Sequence, residues 1–379
     1  MTGSALMNEM ADFVVVGAGV YGAGVALHLA EAGADVVVLD SREVATQASG
    51  GPGRRGVRAN GRDVRELPLM QRAYDTWPDL HERLGADPFY ERVGQLLVFE
   101  SEKDADVARA QAWVQHQHKI PTDWLTKDPL LEREPELSDA VRGALFCPLD
   151  GVARHADVTR AYARAAERAG AKVRTGEPVV ELIIEHGRAR GVRTADGHVV
   201  SARKGVMVLA NSSVAQMIAA HMSIPVWNEC LQVLVSKPLA RVPFKHLIGH
   251  FSRTISLKTE GVDQVMLSGG WPGQWNDDRH VGETLPQSVA ANVAEGVALV
   301  PALAGIEVSE ADASHLETMA IDRVPIIDRV TGVDGAWFAC GWCGHGWAIA
   351  PTIVELLAEW ATTNQQPELL RPFALSRFN

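Results

Sequence analysis

Two stretches suited to binding an anionic cofactor stand near opposite ends of the 379-residue chain. Phe13-Val14-Val15-Val16 runs directly into Gly17-Ala18-Gly19-Val20-Tyr21-Gly22, and Ala336 to Cys340 runs into Gly341-Trp342-Cys343-Gly344-His345-Gly346-Trp347. Each reads as an apolar strand feeding a glycine turn that feeds a helix, an arrangement that presents free N–H donors and the positive end of a helix dipole. In the first, Gly17 permits the tight turn, Gly19 lets the backbone approach a pyrophosphate, and Gly22 allows the helix to pack closely on the strand. Asp40, at the end of the next apolar strand, is placed to accept hydrogen bonds from a ribose, and its charge disfavours a 2′-phosphate. The glycine fingerprint alone does not separate FAD from NAD.

Ser41 and Arg42 follow, and then a loop, Ser49-Gly50-Gly51-Pro52-Gly53-Arg54-Arg55-Gly56-Val57-Arg58. Glycines allow close approach and arginines bind oxyanions through two parallel bonds, so this loop suits a second wall that faces a diphosphate or a flavin. An NAD domain has no need of it at this point. An NAD-dependent dehydrogenase would also leave Gly344-His345-Gly346 unexplained.

The elements that must hold these groups are legible by period and punctuation. Ala11 to Val16, a helix from Val20 to Glu31 closed by Gly33, and Asp35 to Leu39 form one βαβ unit. A helix over Asp157 to Ala169 is followed by strands at Lys172-Val173 and Val179 to Ile184. Two more flank the Asp196-Gly197 turn, and a buried strand runs from Gly205 to Ala210. Strands are expected at Gly94 to Phe99, Gln232 to Ser236 and Val265 to Leu267. Helices are expected over Leu285 to Val300 and from near Pro351, with each proline in a first turn.

Taken together, these residues resemble the FAD-dependent amine and amino-acid oxidoreductases typified by D-amino acid oxidase, glycine oxidase and sarcosine oxidase, and look most like the sarcosine oxidase β subunit. The resemblance implies an α/β plus α+β fold: a Rossmann-like FAD-binding domain with a second, mainly antiparallel β-sheet substrate domain. It assigns residues 1–75, 149–222 and 315–379 to the FAD domain, and residues 76–148 and 223–314 to the substrate domain. It implies non-covalent FAD held by Gly17, Gly19, Val20, Tyr21, Gly22, Asp40, Ser41 and Arg42. It adds Ser49, Gly50, Gly51, Arg54, Arg55, Gly56 and Val57 from the loop, Val180, and Ala210-Asn211, where the family has a turn rich in Ala and Gly. The closing motif supplies Gly344, His345, Gly346 and Trp347 at the pyrimidine edge of the flavin. Some sarcosine oxidases tether FAD through a Cys a short way before the position of Ile327-Asp328; His315 stands there in this chain.

The implied reaction is oxidation of the C–N bond of a small amine or N-substituted amino acid to an imine, by hydride transfer to flavin N5, followed by hydrolysis. Arg58 is expected to anchor a substrate carboxylate, and Trp271 and Trp347 to wall the substrate. The family's oxygen-activating Lys would fall near Leu267 or Ser268, where none occurs, and Lys258 lies well away along the chain, so oxygen and another electron acceptor both stay open. A flavin-binding subunit that relies on a partner chain is the alternative to a self-sufficient enzyme.

Composition limits the partners. Lys and Arg number 36 against 47 Asp and Glu, a net charge of −11, which opposes a nucleic-acid or anionic-membrane surface. Small molecules, in a homo- or hetero-oligomer, are the expected partners. Four cysteines are too few for a disulfide framework, and Cys340-x-x-Cys343 has no second ligand pair for a metal, so a structural role is expected for both thiols. With no apolar run of about 18 residues and no cationic segment ahead of an apolar start, a cytoplasmic location is expected.

Overall fold

The computed structural model describes residues 9–49, 51 and 53–379; the expected cofactor contact Gly50 lies outside the described residues. The opening strand Glu9–Val16 lies between Val36–Leu39 and Val199–Val208, parallel to both. Lys172–Arg174 extends one side in parallel, and Ala336–Cys340 lies parallel to the end of Val199–Val208. Buried on both faces, the centres of these strands read as apolar runs, Phe13-Val14-Val15-Val16, Val36-Val37-Val38-Leu39 and Ala336 to Cys340, as parallel sheets favour. The sheet is completed by the antiparallel strands Val179–Glu185, Arg188–Thr194 and Ile326–Arg329.

On one face the helix Val20–Glu31 packs against His155–Arg168 and Gly346–Thr363. The crossing with the last helix is close because Gly24 lacks a side chain: a Cβ there would lie 2.7 Å from Cγ1 of Val354. This last helix begins at Gly346, earlier than the proline suggested, and Pro351 sits inside it. The missing N–H leaves the carbonyl of Trp347 without its helical donor, yet burial of Ile349, Ile353, Val354, Leu356 and Leu357 carries the helix through.

A second eight-stranded sheet runs in the order Val308–Asp312, Val233–Ser236, Gln264–Ser268, Ser256–Glu260, Leu247–His250, Gln95–Phe99, Gly143–Cys147 and Asp123–Thr126. Its pairings are antiparallel except between Leu247–His250 and Gln95–Phe99. Register places Leu96, Ile248, Leu257, Val265 and Leu267 on one face, where they join Leu299 from the helix Pro286–Leu299 in a core. The opposite face carries Gln95, Leu97, Gly249, Lys258, Met266 and Ser268, because neighbours alternate sides along a strand. A small sheet of Arg54–Val57, Gly151–Arg154 and Tyr90–Glu91 contacts Ser256–Glu260 of the second large sheet and the last helix. Among the described residues, no helix is long and apolar enough to cross a membrane.

Candidate functional site

The opening turn has the geometry of a phosphate cradle. Gly17 takes φ +101°, a conformation L side chains rarely adopt, and a Cβ on Gly22 would lie 1.7 Å from the Gly17 carbonyl oxygen. A Cβ on Gly19 would meet nothing within 4 Å, so that position opens onto space. Asp40 accepts from the backbone N–H of Ala18 at 2.6 Å and of Arg42 at 2.9 Å, tying the second strand to the turn. Burial raises its pKa against the pull of those bonds.

From this turn opens a cavity of about 690 Å³ that reaches the other end of the chain: Gly19 and His345 line the same space. The two ends also touch directly. The Tyr21 ring stacks on Trp342 with centroids 3.7 Å apart, and its hydroxyl donates to the carbonyl of Gly346 at 2.5 Å. Gly344 donates its N–H to the buried carboxylate of Glu317 at 3.0 Å, and the Ser49 hydroxyl donates to the same carboxylate. Burial pushes the Glu317 carboxyl upward and, with the neighbouring Arg58, Arg62 and Arg323 cations, pushes the His345 imidazole well below its usual range. The first-turn N–H groups of the last helix lack helical acceptors, as at any helix start.

The arginine loop forms the wall between the turns. Arg55, Gly56 and Arg58 line the cavity. Loss of solvent pushes both guanidinium pKa values down to about 10. Arg55 donates to the carbonyls of Ser49 and Gly51. Arg58 donates Nη1 to the Asn60 carbonyl at 2.7 Å and forms no ion pair with any carboxylate of the described residues. Its loop is fixed from below by Asp150, which accepts from the N–H groups of Ala59 and Asn60 and from the Tyr74 hydroxyl.

Opposite this wall stands the polar face of the second sheet. Lys258 is 5% exposed, and its Nζ lies 3.0 Å from Oγ of Ser268. Lys258 lies well away from Ser268 along the chain, but the antiparallel register brings the two strands side by side, pairing Ser256 with Ser268 and Lys258 with Met266. A lysine therefore does reach the neighbourhood of Ser268. Burial and the Arg55 and Arg58 cations push its pKa down to about 7, against Glu260.

The remaining expected residues are placed as follows. Val20, Ser41, Ala210, Asn211 and Trp347 line the cavity, and Asn211 adopts φ +32° at the turn. Gly22, Arg42, Gly51, Val57, Val180 and Trp271 lie outside its lining. Val57 is fully buried, Val180 is 59% exposed on its strand, and Trp271 donates Nε1 to the Thr254 carbonyl at 2.7 Å. Arg54 is turned away into a bidentate pair with Glu91, since side chains alternate sides along Arg54–Val57. His315 is not part of the lining, although Leu316 and Glu317 are. All four cysteines are free and buried. Burial pushes Cys340 up to about 12 and Cys343 up to about 11. Among the described residues no group of His, Cys, Asp and Glu is assembled to hold a metal. Sequence reasoning missed Glu317, Asp150 and the buried Arg62–Glu66 pair; only the i, i+4 spacing of the last gave a signal.

The cavity fits FAD on its own terms. A glycine cradle at one end and a helix N-terminus at the other suit phosphates and an electron-rich ring edge. Several buried polar atoms of lining residues, Asn211 Oδ1, Gln95 Oε1 and Trp347 Nε1 among them, have no hydrogen-bond partner in the protein, as expected where a polar ligand completes the site.

A family model described as DAO, FAD dependent oxidoreductase, matches residues 12–360. The β subunit of sarcosine oxidase from Rhizobium meliloti is 27% identical over 378 residues, covering 97% of this chain and 88% of that protein. Glycine oxidase from Bacillus licheniformis is 26% identical over 372 residues, covering 94% and 95%. Among solved structures, L-proline dehydrogenase from P. horikoshii superposes with TM-score 0.89 at 22% identity over 98% of each chain, a likeness of fold.

Proposed function

Because the chain belongs to the DAO family of FAD-dependent oxidoreductases, we propose that it oxidises the C–N bond of a small amino acid, or N-substituted amino acid, to an imine that water then hydrolyses. The observation that carries this reading is Arg58: a guanidinium in the cavity wall with no carboxylate partner among the described residues. Leaving a charge so placed is costly unless a ligand completes it, and a carboxylate matches its fork. When bound, FAD supplies the two-electron acceptor. The chain's part is to seat its phosphates on the Gly17–Gly22 turn, hold the ring against the His345–Trp347 turn, and keep the substrate carboxylate on Arg58. The apolar Leu97 and the bare Gly249 leave room for the carbon skeleton on the sheet face opposite.

Residues 1–75, 149–222 and 315–379 form the cofactor unit in this reading, and residues 76–148 and 223–314 the substrate unit. Lys258 favours oxygen as the acceptor, since an ammonium in the cavity wall would stabilise the negative charge that develops on oxygen as it is reduced. The relatives called a β subunit make a hetero-oligomer a reasonable form for this chain as well. A panel of amines, with and without carboxylates, mixed anaerobically with the purified FAD-loaded protein tests the assignment. Bleaching of the flavin by carboxylate-bearing amines alone is expected; bleaching by simple amines to the same extent removes Arg58 from its role.

A further inference from the structure

Arg62 and Glu66 form a fully buried ion pair, each side chain 1% exposed, with Nη1 to Oε1 at 2.8 Å. The other two donor directions of Arg62 both go to backbone of the site. Nε donates to the carbonyl of Arg58 at 2.5 Å, and Nη2 donates to the carbonyl of His345 at 2.6 Å. One planar fork thus joins the arginine loop to the closing turn across 283 positions of sequence.

A buried pair of this kind is weak evidence for stability, because desolvation offsets its attraction and apolar replacements of similar volume are often neutral. Its geometry says more than its charge. The carbonyl of His345 belongs to the same peptide unit as the N–H of Gly346, the first residue of the last helix. A guanidinium on that oxygen polarises the unit and strengthens its N–H as a donor. The next peptide unit is treated alike, since the Tyr21 hydroxyl bonds the Gly346 carbonyl. On the other side, fixing the Arg58 carbonyl fixes the backbone from which the Arg58 guanidinium reaches into the cavity.

We propose that Arg62 is a positioning residue that sets the direction of the substrate anchor Arg58 and the donor strength of the flavin-facing turn at once, so that carboxylate affinity and flavin potential are coupled through one side chain. The inference rests on the reading of Arg58 and of the closing turn given above. Glu66 holds the fork in the orientation that reaches both carbonyls. Lysine, with a single ammonium, cannot span the three acceptors.

The test uses the FAD-loaded full chain in three variants, Arg62→Lys, the double variant Arg62→Met with Glu66→Met, and Arg58→Ala. Two quantities are read: the midpoint potential of the bound flavin, and the affinity for acetate from its perturbation of the flavin absorption. The double variant removes both charges and leaves neither one unpaired. It is expected to fold, to lose at least tenfold in acetate affinity, and to lower the potential by about 30 mV, the equivalent of tenfold for a two-electron couple. Arg62→Lys shifts both quantities in the same directions, and Arg58→Ala weakens acetate alone. If both Arg62 variants keep both quantities within twofold of the parent, the pair is merely structural and the proposal is wrong. If Arg58→Ala leaves acetate binding unchanged, the anchor reading fails, while the potential of the Arg62 variants still decides the effect on the turn.

Discussion

Arg58 and Lys258 both line the cavity, and each predicts a separate measurement. Replacing Arg58 by Ala removes a charge-assisted contact and is expected to raise KM for carboxylate-bearing amines by about 10- to 100-fold, read in steady-state kinetics. Lys258, pushed down to about 7, is charged below that pH and neutral above it. If its ammonium assists oxygen, flavin reoxidation slows as pH rises through about 7, and Lys258→Met shows slow reoxidation with no such step; stopped-flow mixing of reduced enzyme with oxygen reads both. Gly22 is less forgiving. A Cβ there would meet backbone, so Gly22→Ala must move the turn itself, and the expected result is protein purified without FAD.

At the level of strands and helices, the opening βαβ unit was legible because it is local: strand, glycine turn, helix and Asp40 follow one another in order. The position of Lys258 was not, since it depends on a hairpin register that makes residues ten apart diagonal neighbours on one sheet face. The Arg62–Glu66 pair was hidden for a different reason. Charges at i, i+4 ordinarily mark a solvated helix face, and only tertiary packing buries these. The closing helix starts five residues ahead of Pro351, where a proline ordinarily marks the first turn, because burial of its apolar face overrides the lost hydrogen bond. Packing at the helix crossing is testable by Gly24→Leu. Its side chain must displace the buried Val354, so a loss of about 1–3 kcal/mol in urea unfolding is expected.

For the molecule as a whole, acid is the expected weakness. Burial, helped by Arg83 and Arg72, lowers the pKa of His28 to about 4, and burial with Arg55 does the same to His155. Each folded pKa lies below the unfolded value, so the unfolded chain binds more protons between about 4 and 6.5 and stability falls as pH drops through that window. The expected loss between pH 7 and pH 5 is about 2 kcal/mol per histidine, and His28→Asn, outside the cavity, flattens the dependence of Tm on pH. The stacking of Tyr21 on Trp342 carries a consequence for biosynthesis. A ribosome adding roughly 5–20 residues per second finishes the Gly17–Gly22 turn long before the Trp342 segment that stacks on Tyr21 has emerged. On the proposed reading of the site, the nascent protein holds its first half ready without the vitamin-derived ligand, and loading waits for release of the tail. Chains arrested before Gly341 are therefore expected to be colourless, and the whole chain held on the ribosome by an added C-terminal extension long enough to clear the exit tunnel is expected to be yellow.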